Sequence, residues 1–307
     1  MFKIVRPINL LISALSLVLM QFVFIYPLLE KFQVKQLFKP WQFFILLVAS
    51  IAVQASGYII NDYFDVNIDE VNKPNKLIVG KRLSPKKTMR YYILMSVIAI
   101  FMGIWVSFSV YKFNFILLFL LPMGLLWFYS QSYKRMFAIG NIVVAFCAGL
   151  FASLVGVFNF SAYTDELIKT NAQVFYIIFI FTLINAFYAF FSNLVREIIK
   201  DCEDIEGDNE YGCNTIPIKL GIEKTKIILI ILNLILITFS SYFIYKTYFY
   251  NYNTIVLWLI IYIILLIIQI LQTLKANNKA SFKWLSDWSK ITMIWGIFLP
   301  VFVNLSI

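Results

Sequence analysis

Nine apolar runs divide the 307-residue chain almost from end to end. They lie near Leu10–Leu29, Trp41–Ile60, Tyr91–Tyr111, Phe113–Tyr129, Ile139–Phe158, Val174–Val195, Lys226–Tyr245, Thr254–Leu274 and Ile291–Asn304. About 20 mostly apolar residues make a helix long enough to cross the hydrocarbon core of a bilayer. Inside hydrocarbon, a segment must satisfy its own backbone hydrogen bonds, which a helix does. The spacing therefore predicts an all-α polytopic membrane protein with nine transmembrane helices. Composition agrees, with 61% apolar residues, 14% charged and a mean hydropathy of +0.82, more apolar than one or two soluble cores can hide. The first run follows Lys3 and Arg6 as a signal peptide would, but it is long, ends in Tyr26-Pro27 and lacks a small-x-small cleavage site, so it counts as a span. No low-complexity linker marks a second unit, and residues 1–307 are expected to form a single membrane domain.

Charge orients these spans. Of the 26 basic residues, 20 fall in the N-terminus and the second, fourth, sixth and eighth loops, and six in the other set. That asymmetry places the N-terminus in the cytoplasm and the C-terminus outside. The net charge of +10 is spread between apolar runs rather than along one soluble stripe. Anionic lipid headgroups are thus the expected partners, and neither nucleic acid nor an obligate protein partner is called for. Histidine is absent, which excludes imidazole bases and His metal sites. Cys147, Cys202 and Cys213 have no metal-ligand spacing and are expected to be reduced thiols. The Asn159-Phe160-Ser161 sequon has no secretory context to go with it.

Two polar connections, Asn61–Arg90 and Arg196–Thr225, are separated by four spans and so share the cytoplasmic side. Each opens with a burst of carboxylates. Asn61, Asp65 and Asp69 stand at i, i+4, i+8, drifting only ~80° around a helix. Glu197, Asp201, Asp204 and Asp208 follow i, i+4, i+7, i+11, within an arc of roughly 60° on one helix. Like charges gathered beside hydrocarbon call for a counter-ion. Oxygen ligands without His or Cys favour a hard divalent cation such as Mg2+, which prefers to share its ligation with phosphates. An EF-hand does not fit: counted from Asp65, the required Gly is Glu70 and the closing Glu is Lys76. The pattern points to a diphosphate held through metal bridges. A solvated acidic helix end is the plainer alternative, weakened by the occurrence of two such clusters on one side.

Asn61-Asp62-x-x-Asp65-x-x-x-Asp69 and Asp204-x-x-x-Asp208-x-x-x-Gly212 resemble, in order, the two acidic motifs of the UbiA superfamily of intramembrane prenyltransferases. Arg6-Pro7-x-Asn9, the Tyr129-Ser130…Lys134-Arg135 stretch before Gly140-Asn141, and Thr215-Ile216-Pro217 support the likeness. The run Arg196–Asp208 is most similar to the digeranylgeranylglyceryl phosphate synthase branch. Val66-Asn67 and Lys73-Pro74-Asn75-Lys76-Leu77 depart from the usual charged pair and Arg-x-x-Arg-Pro pattern.

The resemblance implies nine helices around a central cavity and Mg2+-dependent transfer of a prenyl chain, geranylgeranyl in that branch, from a prenyl diphosphate to the hydroxyl of a prenylglyceryl phosphate lipid. It also implies a place in the cell membrane, with the active site opening toward the cytoplasm. On that basis Asn61, Asp65, Asp69, Asp201, Asp204 and Asp208 are expected to hold the metal, with Asp65, Asp69, Asp204 and Asp208 central to catalysis. Arg6, Asn9, Asp62, Lys73, Lys76, Tyr129, Lys134, Arg135 and Glu197 are expected around the substrates. Tyr58, Tyr63, Phe64, Tyr129 and Tyr188 are candidate aromatic faces for an allylic cation. Two other functions compete: prenylation of an aromatic acid or quinone precursor at the same metal site, and transport of an ion or phosphate ester. Transport fits less well, because the acids sit at the ends of spans and no Gly/Pro-broken helix pair occurs at matching positions.

Overall fold

A computed structural model describes residues 4–74, 77–248 and 252–306; Lys3 and Lys76 lie outside the described residues. These are helical almost throughout, and their only bridge pairing is the isolated one between Val79 and Leu83. The first rod, Pro7–Lys31, comprises α1 (Pro7–Val18), a π segment (Leu19–Ile25) and α2 (Tyr26–Lys31). Then come α3 (Pro40–Phe64), α4 (Val66–Asn72), α5 (Pro85–Ser109), a 3-10 turn (Phe113–Ile116) running into α6 (Leu117–Gln131), α7 (Ile139–Ser161) and α8 (Asp165–Thr170). The remainder is α9 (Ala172–Glu203), α10 (Ile205–Glu210), α11 (Ile216–Leu220), α12 (Ile222–Tyr248), α13 (Asn253–Lys275), α14 (Lys279–Ile297) and α15 (Leu299–Asn304).

Among the described residues, eight helices are long and apolar enough to cross a membrane, and they match the first eight apolar runs. The chain is an integral membrane protein. The ninth run, Ile291–Asn304, is divided between two helices. The break falls at Phe298, just before Pro300, whose missing N–H removes a rung of the ladder. Its helix also starts earlier than the apolar run, at Lys279, and carries Lys283, Asp287 and Lys290, so it is not among the eight.

Helix α5 shows which solvent the outer surface meets. It buries Thr88, Ser96, Ala99, Gly103, Val106 and Ser107, and exposes Ile93, Leu94, Val97, Phe101, Trp105 and Phe108. Small and polar residues inside with large apolar ones outside is the arrangement of a helix packed in lipid, where association depends on close backbone approach and buried polar contacts rather than on hydrophobic contrast. The π segment fits the same logic: Pro27 cannot donate to the turn before it, and the bulge places Gln21 fully inside. Gln21 exchanges hydrogen bonds with Asn159, which donates to Gln21 Oε1 at 2.6 Å and accepts from Gln21 Nε2 at 3.3 Å. Asn159 is 1% exposed, which closes the sequon to modification in the folded protein.

Helices α7 and α9 pack tightly against each other. A Cβ at Gly156 would lie 1.9 Å from Thr182 Oγ1 and 2.8 Å from Thr182 Cβ, so the space is taken by atoms that cannot swing clear. Gly156→Ala is expected to cost about 1–3 kcal/mol, lowering the melting temperature in detergent, and Thr182→Ala should restore most of it. An unchanged melting temperature for Gly156→Ala would show that the helices do not meet this way.

Two smaller cores support the polar end. Ile4, Ile59 and Val79 pack beneath the start of the first polar connection. Val195, Ile198, Ile199, Cys202, Ile216, Leu229, Ala276, Phe282 and Leu285 pack beneath the second.

Candidate active site

Both acidic motifs sit where a long helix stops and a short one begins. Helix α3 ends at Phe64 and α4 starts at Val66, with Asp65 at the join (φ −90°, ψ 5°). Helix α9 ends at Glu203 and α10 starts at Ile205, with Asp204 at the join (φ −101°, ψ 9°). The i→i−4 bonds continue through both bends: Asp65 N–H to Asn61 O, Asp69 N–H to Asp65 O, Asp204 N–H to Lys200 O and Asp208 N–H to Asp204 O. The helical spacing read from sequence therefore persists across each join. The four acids of the second motif do not share one straight helix, since Asp208 lies beyond the bend.

The acids are brought together by bases and amides from elsewhere in the chain. Asp65, 3% exposed, accepts from Asn61 Nδ2 at 2.7 Å and from Lys134 Nζ at 2.6 Å, both on Oδ2. Asp204 accepts from Lys73 Nζ at 2.5 Å. Asp201 accepts from Asn141 Nδ2 at 2.7 Å. Glu197 is held between Arg196 (3.1 Å) and Lys200 (2.9 Å). Asp62 accepts from Arg6 Nη2 at 2.9 Å, and the Arg6 guanidinium lies over the Tyr58 ring, where Asn9 Nδ2 also donates to the hydroxyl at 3.4 Å. The N-terminal Arg-Pro-x-Asn segment thus closes onto the last turns of α3.

Two backbone features at the entry to α7 position Lys134, before the helix, and Asn141, in its first turn. Ala138 takes a positive φ of 59°, and Gly140 leaves room for its neighbours: a Cβ there would stand 3.0 Å from Lys134 Cα and 3.1 Å from Tyr129 Cε2. Arg135 points outward and is exposed; its carbonyl, which accepts from Asn214 N–H at 2.9 Å, ties this loop to the segment after α10. Tyr188 belongs to the membrane core rather than the acid cluster. It is hydrogen-bonded to Ser240 and packed edge-on against Trp258 and Tyr262. Asn72, Asn141, Arg196 and Lys200 complete the cluster's contacts; Arg196 and Lys200 are near neighbours of Glu197 in sequence, Asn141 belongs to the Gly140-Asn141 pair that supports the family likeness, and Asn72 carries no signal in the sequence.

Burial dominates the electrostatics here. Asp208, 1% exposed, is pushed up to about 6 by burial, against the pull of Lys134, with Asp204 and Asp65 adding to the rise. Asp69 is raised by burial and by Asp65. Burial pulls the Lys73 and Lys134 ammonium groups down, but their carboxylate neighbours, Asp204 and Asp65 first among them, more than reverse it.

The donor set suits a hard divalent cation. Asp204 Oδ1 and Asp208 Oδ1 are buried with no hydrogen-bond partner among the described residues, and an orphaned buried acceptor costs about 1–3 kcal/mol. Oxygen-only donors with unsatisfied lone pairs match Mg2+ chemistry. Among the described residues, no three acidic or thiol side chains stand together as a finished metal cage; Lys73 and Lys134 neutralise Asp204 and Asp65 instead.

An all-helical bundle with two buried acidic turns at one polar end defines a membrane-embedded enzyme class, and the comparisons with known proteins agree. Residues 32–295 match the UbiA prenyltransferase family. The chain belongs to that family and is a prenyltransferase. It is 30% identical over 244 residues to the digeranylgeranylglyceryl phosphate synthase of Sulfurisphaera tokodaii, covering 78% of this chain and 80% of that one. It is 32% identical over 246 residues to that of Sulfolobus acidocaldarius, covering 79% and 80%. Among solved structures, one concerning digeranylgeranylglyceryl phosphate synthase in membranes superposes with a TM-score of 0.66 at 20% identity, over 99% of this chain and 97% of that one. A UbiA homolog from Archaeoglobus fulgidus bound to DMAPP and Mg2+ superposes with a TM-score of 0.57 at 16% identity, over 97% and 98%. These last two likenesses are of fold.

Proposed function

We propose that this protein transfers a prenyl group, geranylgeranyl in length, from its diphosphate to the free hydroxyl of a prenylglyceryl phosphate lipid, with Mg2+ as cofactor. The observation that carries the reading is the pair of acidic turns, held together by lysines and containing two orphaned carboxylate oxygens, at one end of a lipid-facing bundle. The names borne by relatives at about 30% identity support the lipid acceptor.

Asn61, Asp65, Asp69, Asp201, Asp204 and Asp208 would hold the metal, which supplies positive charge at the departing diphosphate. Carboxylates so engaged no longer need lysine partners. Lys73 and Lys134 then have charge to offer to phosphate oxygens, in fixed positions where negative charge develops; Lys76 and Arg135 are assigned to the substrate phosphates on the sequence pattern alone. Arg6 and Asn9 shape the acceptor side through Asp62 and Tyr58; Tyr129 lines the interior, and Glu197 anchors Arg196 and Lys200. As the C1–O bond to diphosphate breaks, the acceptor oxygen bonds to C1 and its proton passes to a carboxylate or to the departing diphosphate. The apolar interior keeps water from the allylic cation.

The finer architecture belongs to the same proposal: nine crossings around a central cavity, N-terminus in the cytoplasm, the acidic end facing the cytoplasm from the cell membrane, and no obligate protein partner. A single domain over residues 1–307 is part of the proposal, supported by the bonds of Arg6 to Asp62 and of Thr254 to the Phe302 carbonyl at 2.9 Å, which join the first and last described segments to the bundle. Lys81 is near the acids in sequence, whereas Lys169 lies past the far end of α7, a helix of 23 residues and so ~34 Å long. In a cysteine-free variant carrying one new cysteine, an impermeant thiol reagent should label position 169 in intact cells and position 81 only after lysis. Equal labelling of both in intact cells contradicts this topology.

The function itself is tested with purified protein and Mg2+, offering prenyl diphosphates of several lengths against glyceryl phosphate lipids. Absence of any prenylated product overturns the proposal.

A further inference from the structure

Helix α10 has an aspartate at its N-cap that does not cap it. Asp204 occupies that position and makes no side-chain bond to the first turn, although aspartate is among the preferred capping residues because its carboxylate accepts from the N–H two or three residues on. That N–H belongs to Gly207, and it donates instead to Asn72 Oδ1 at 2.9 Å, across 135 residues of chain. The other end of the same amide, Asn72 Nδ2, donates to the Asp204 carbonyl at 2.9 Å. Asn72 is the last residue of α4 and is 6% exposed. Gly207 fits only because it lacks a side chain: a Cβ there would lie 2.7 Å from Asn72 Cγ and Nδ2.

We infer that Asn72 is a positioning residue, which caps α10 in place of Asp204 and thereby frees the Asp204 carboxylate for the metal site. Two consequences follow from its geometry. The short helix after each acidic motif is tied to the other by one amide, so the separation of the two acidic turns is set by Asn72 rather than by the long loops between them. The Asp204 carboxylate, with its capping partner taken, turns to Lys73 through Oδ2 and leaves Oδ1 buried and unpaired. Without Asn72, the exposed N–H of Gly207 competes with any cation for that carboxylate. The inference rests on the Mg2+–diphosphate reading.

The experiment is a thermal-shift titration of the purified full chain with Mg2+, in the presence of an unreactive thio analogue of a prenyl diphosphate, so that no turnover is involved. Wild-type protein should be stabilised as Mg2+ is added. In Asn72→Ala the Mg2+ concentration for half-maximal stabilisation should rise about tenfold or more, the scale on which residues that orient metal ligands act. Gly207→Ala, which crowds the amide without removing it, should show the same direction and serves if Asn72→Ala does not fold. In Asn72→Ala/Gly207→Ala, the added methyl enters the space left by the amide, so the double variant should be no worse than Asn72→Ala alone. Gln21→Leu, which breaks a buried amide pair far from the acids, should lower the melting temperature without moving the Mg2+ midpoint. Unchanged midpoints in both Asn72→Ala and Gly207→Ala, with wild type responding normally, overturn the role of Asn72 and leave the metal reading standing. No Mg2+ response in wild type overturns both.

Discussion

Asp208→Asn is expected to abolish prenyl transfer and, in the metal-free protein at neutral pH, to make the fold more stable rather than less. The two effects have one cause. Asp208 is buried, and its carboxyl is pushed up to about 6 by that burial, against the pull of Lys134. A carboxyl whose folded pKa lies above its unfolded value of about 4 binds its proton more tightly in the native state. Stability therefore falls as pH rises from about 4 through about 6, and above that range the native state carries the cost of a buried charge. The isosteric amide carries none, so the stabilisation should be present at pH 7–8 and vanish near pH 4. Turnover should fall at least about a hundredfold, as for loss of one preorganised partner at a site of developing charge. Asp65→Asn should lose activity equally without the gain, because Lys134 and Asn61 both donate to Asp65 Oδ2 and the lysine would lose its closest counter-charge. EDTA should reproduce the loss of activity in wild type. Full turnover by either variant, or in metal-free buffer, sinks the metal assignment; a lower melting temperature for Asp208→Asn at pH 8 sinks the electrostatic account.

Much of this was legible in the sequence, for reasons that particular residues show. Apolar runs mark spans because lipid demands continuous apolar length, and Pro40 and Pro85, each at the first helical position, mark where two of them begin. The last run resisted reading because its helix begins among Lys279, Lys283, Asp287 and Lys290, twelve residues before Ile291. The acidic spacing was readable because i, i+4 repeats survive the bends at Asp65 and Asp204. The bends were not: no proline stands at either, and each depends on what packs on both sides. Which distant residues pair with which acid was not legible for the same reason, even where, as with Arg6, Lys73 and Lys134, the residues themselves were marked. Asn141 differs from Asp201 by 60 positions and Asn72 from Gly207 by 135; an asparagine at the end of a helix reads equally well as a plain helix stop, and the Gly140-Asn141 pair does not name its partner. Tyr188 illustrates the opposite error. In a chain with 18% aromatic residues, proximity in sequence to an acidic motif does not separate a ring that faces substrate from one that stacks in the core.

Offered both acceptor types with geranylgeranyl diphosphate, the protein should form a C–O ether on a prenylglyceryl phosphate lipid at least about a hundredfold faster than a C–C bond on 4-hydroxybenzoate or a naphthoate, the scale of discrimination available to a site built around a polar group that the analogue lacks. Charge gives the physical reason. Four acids of the cluster are matched by bases, Asp62 by Arg6, Asp65 by Lys134, Asp204 by Lys73, and Glu197 by Arg196 and Lys200, whereas Asp69, Asp201 and Asp208 form no ion pair among the described residues. Once the carboxylates of the two turns hold metal, Lys73 and Lys134 are released to phosphate oxygens, and Arg6 and Lys200 stand nearby as further cations. A phosphate on the acceptor, with close to two charges and three free oxygens, engages such cations more fully than one aromatic carboxylate does. The chemistry separates the two outcomes cleanly, since a glyceryl hydroxyl can take the chain only at oxygen and an activated ring takes it at carbon. Lys134→Met should therefore weaken the glyceryl phosphate lipid more than an acceptor in which the phosphate is replaced by a neutral group, as read from KM for each. Efficient prenylation of the aromatic acid, with the glyceryl phosphate lipid untouched, would overturn this choice of acceptor while leaving the roles of Asp65 and Asp208 intact.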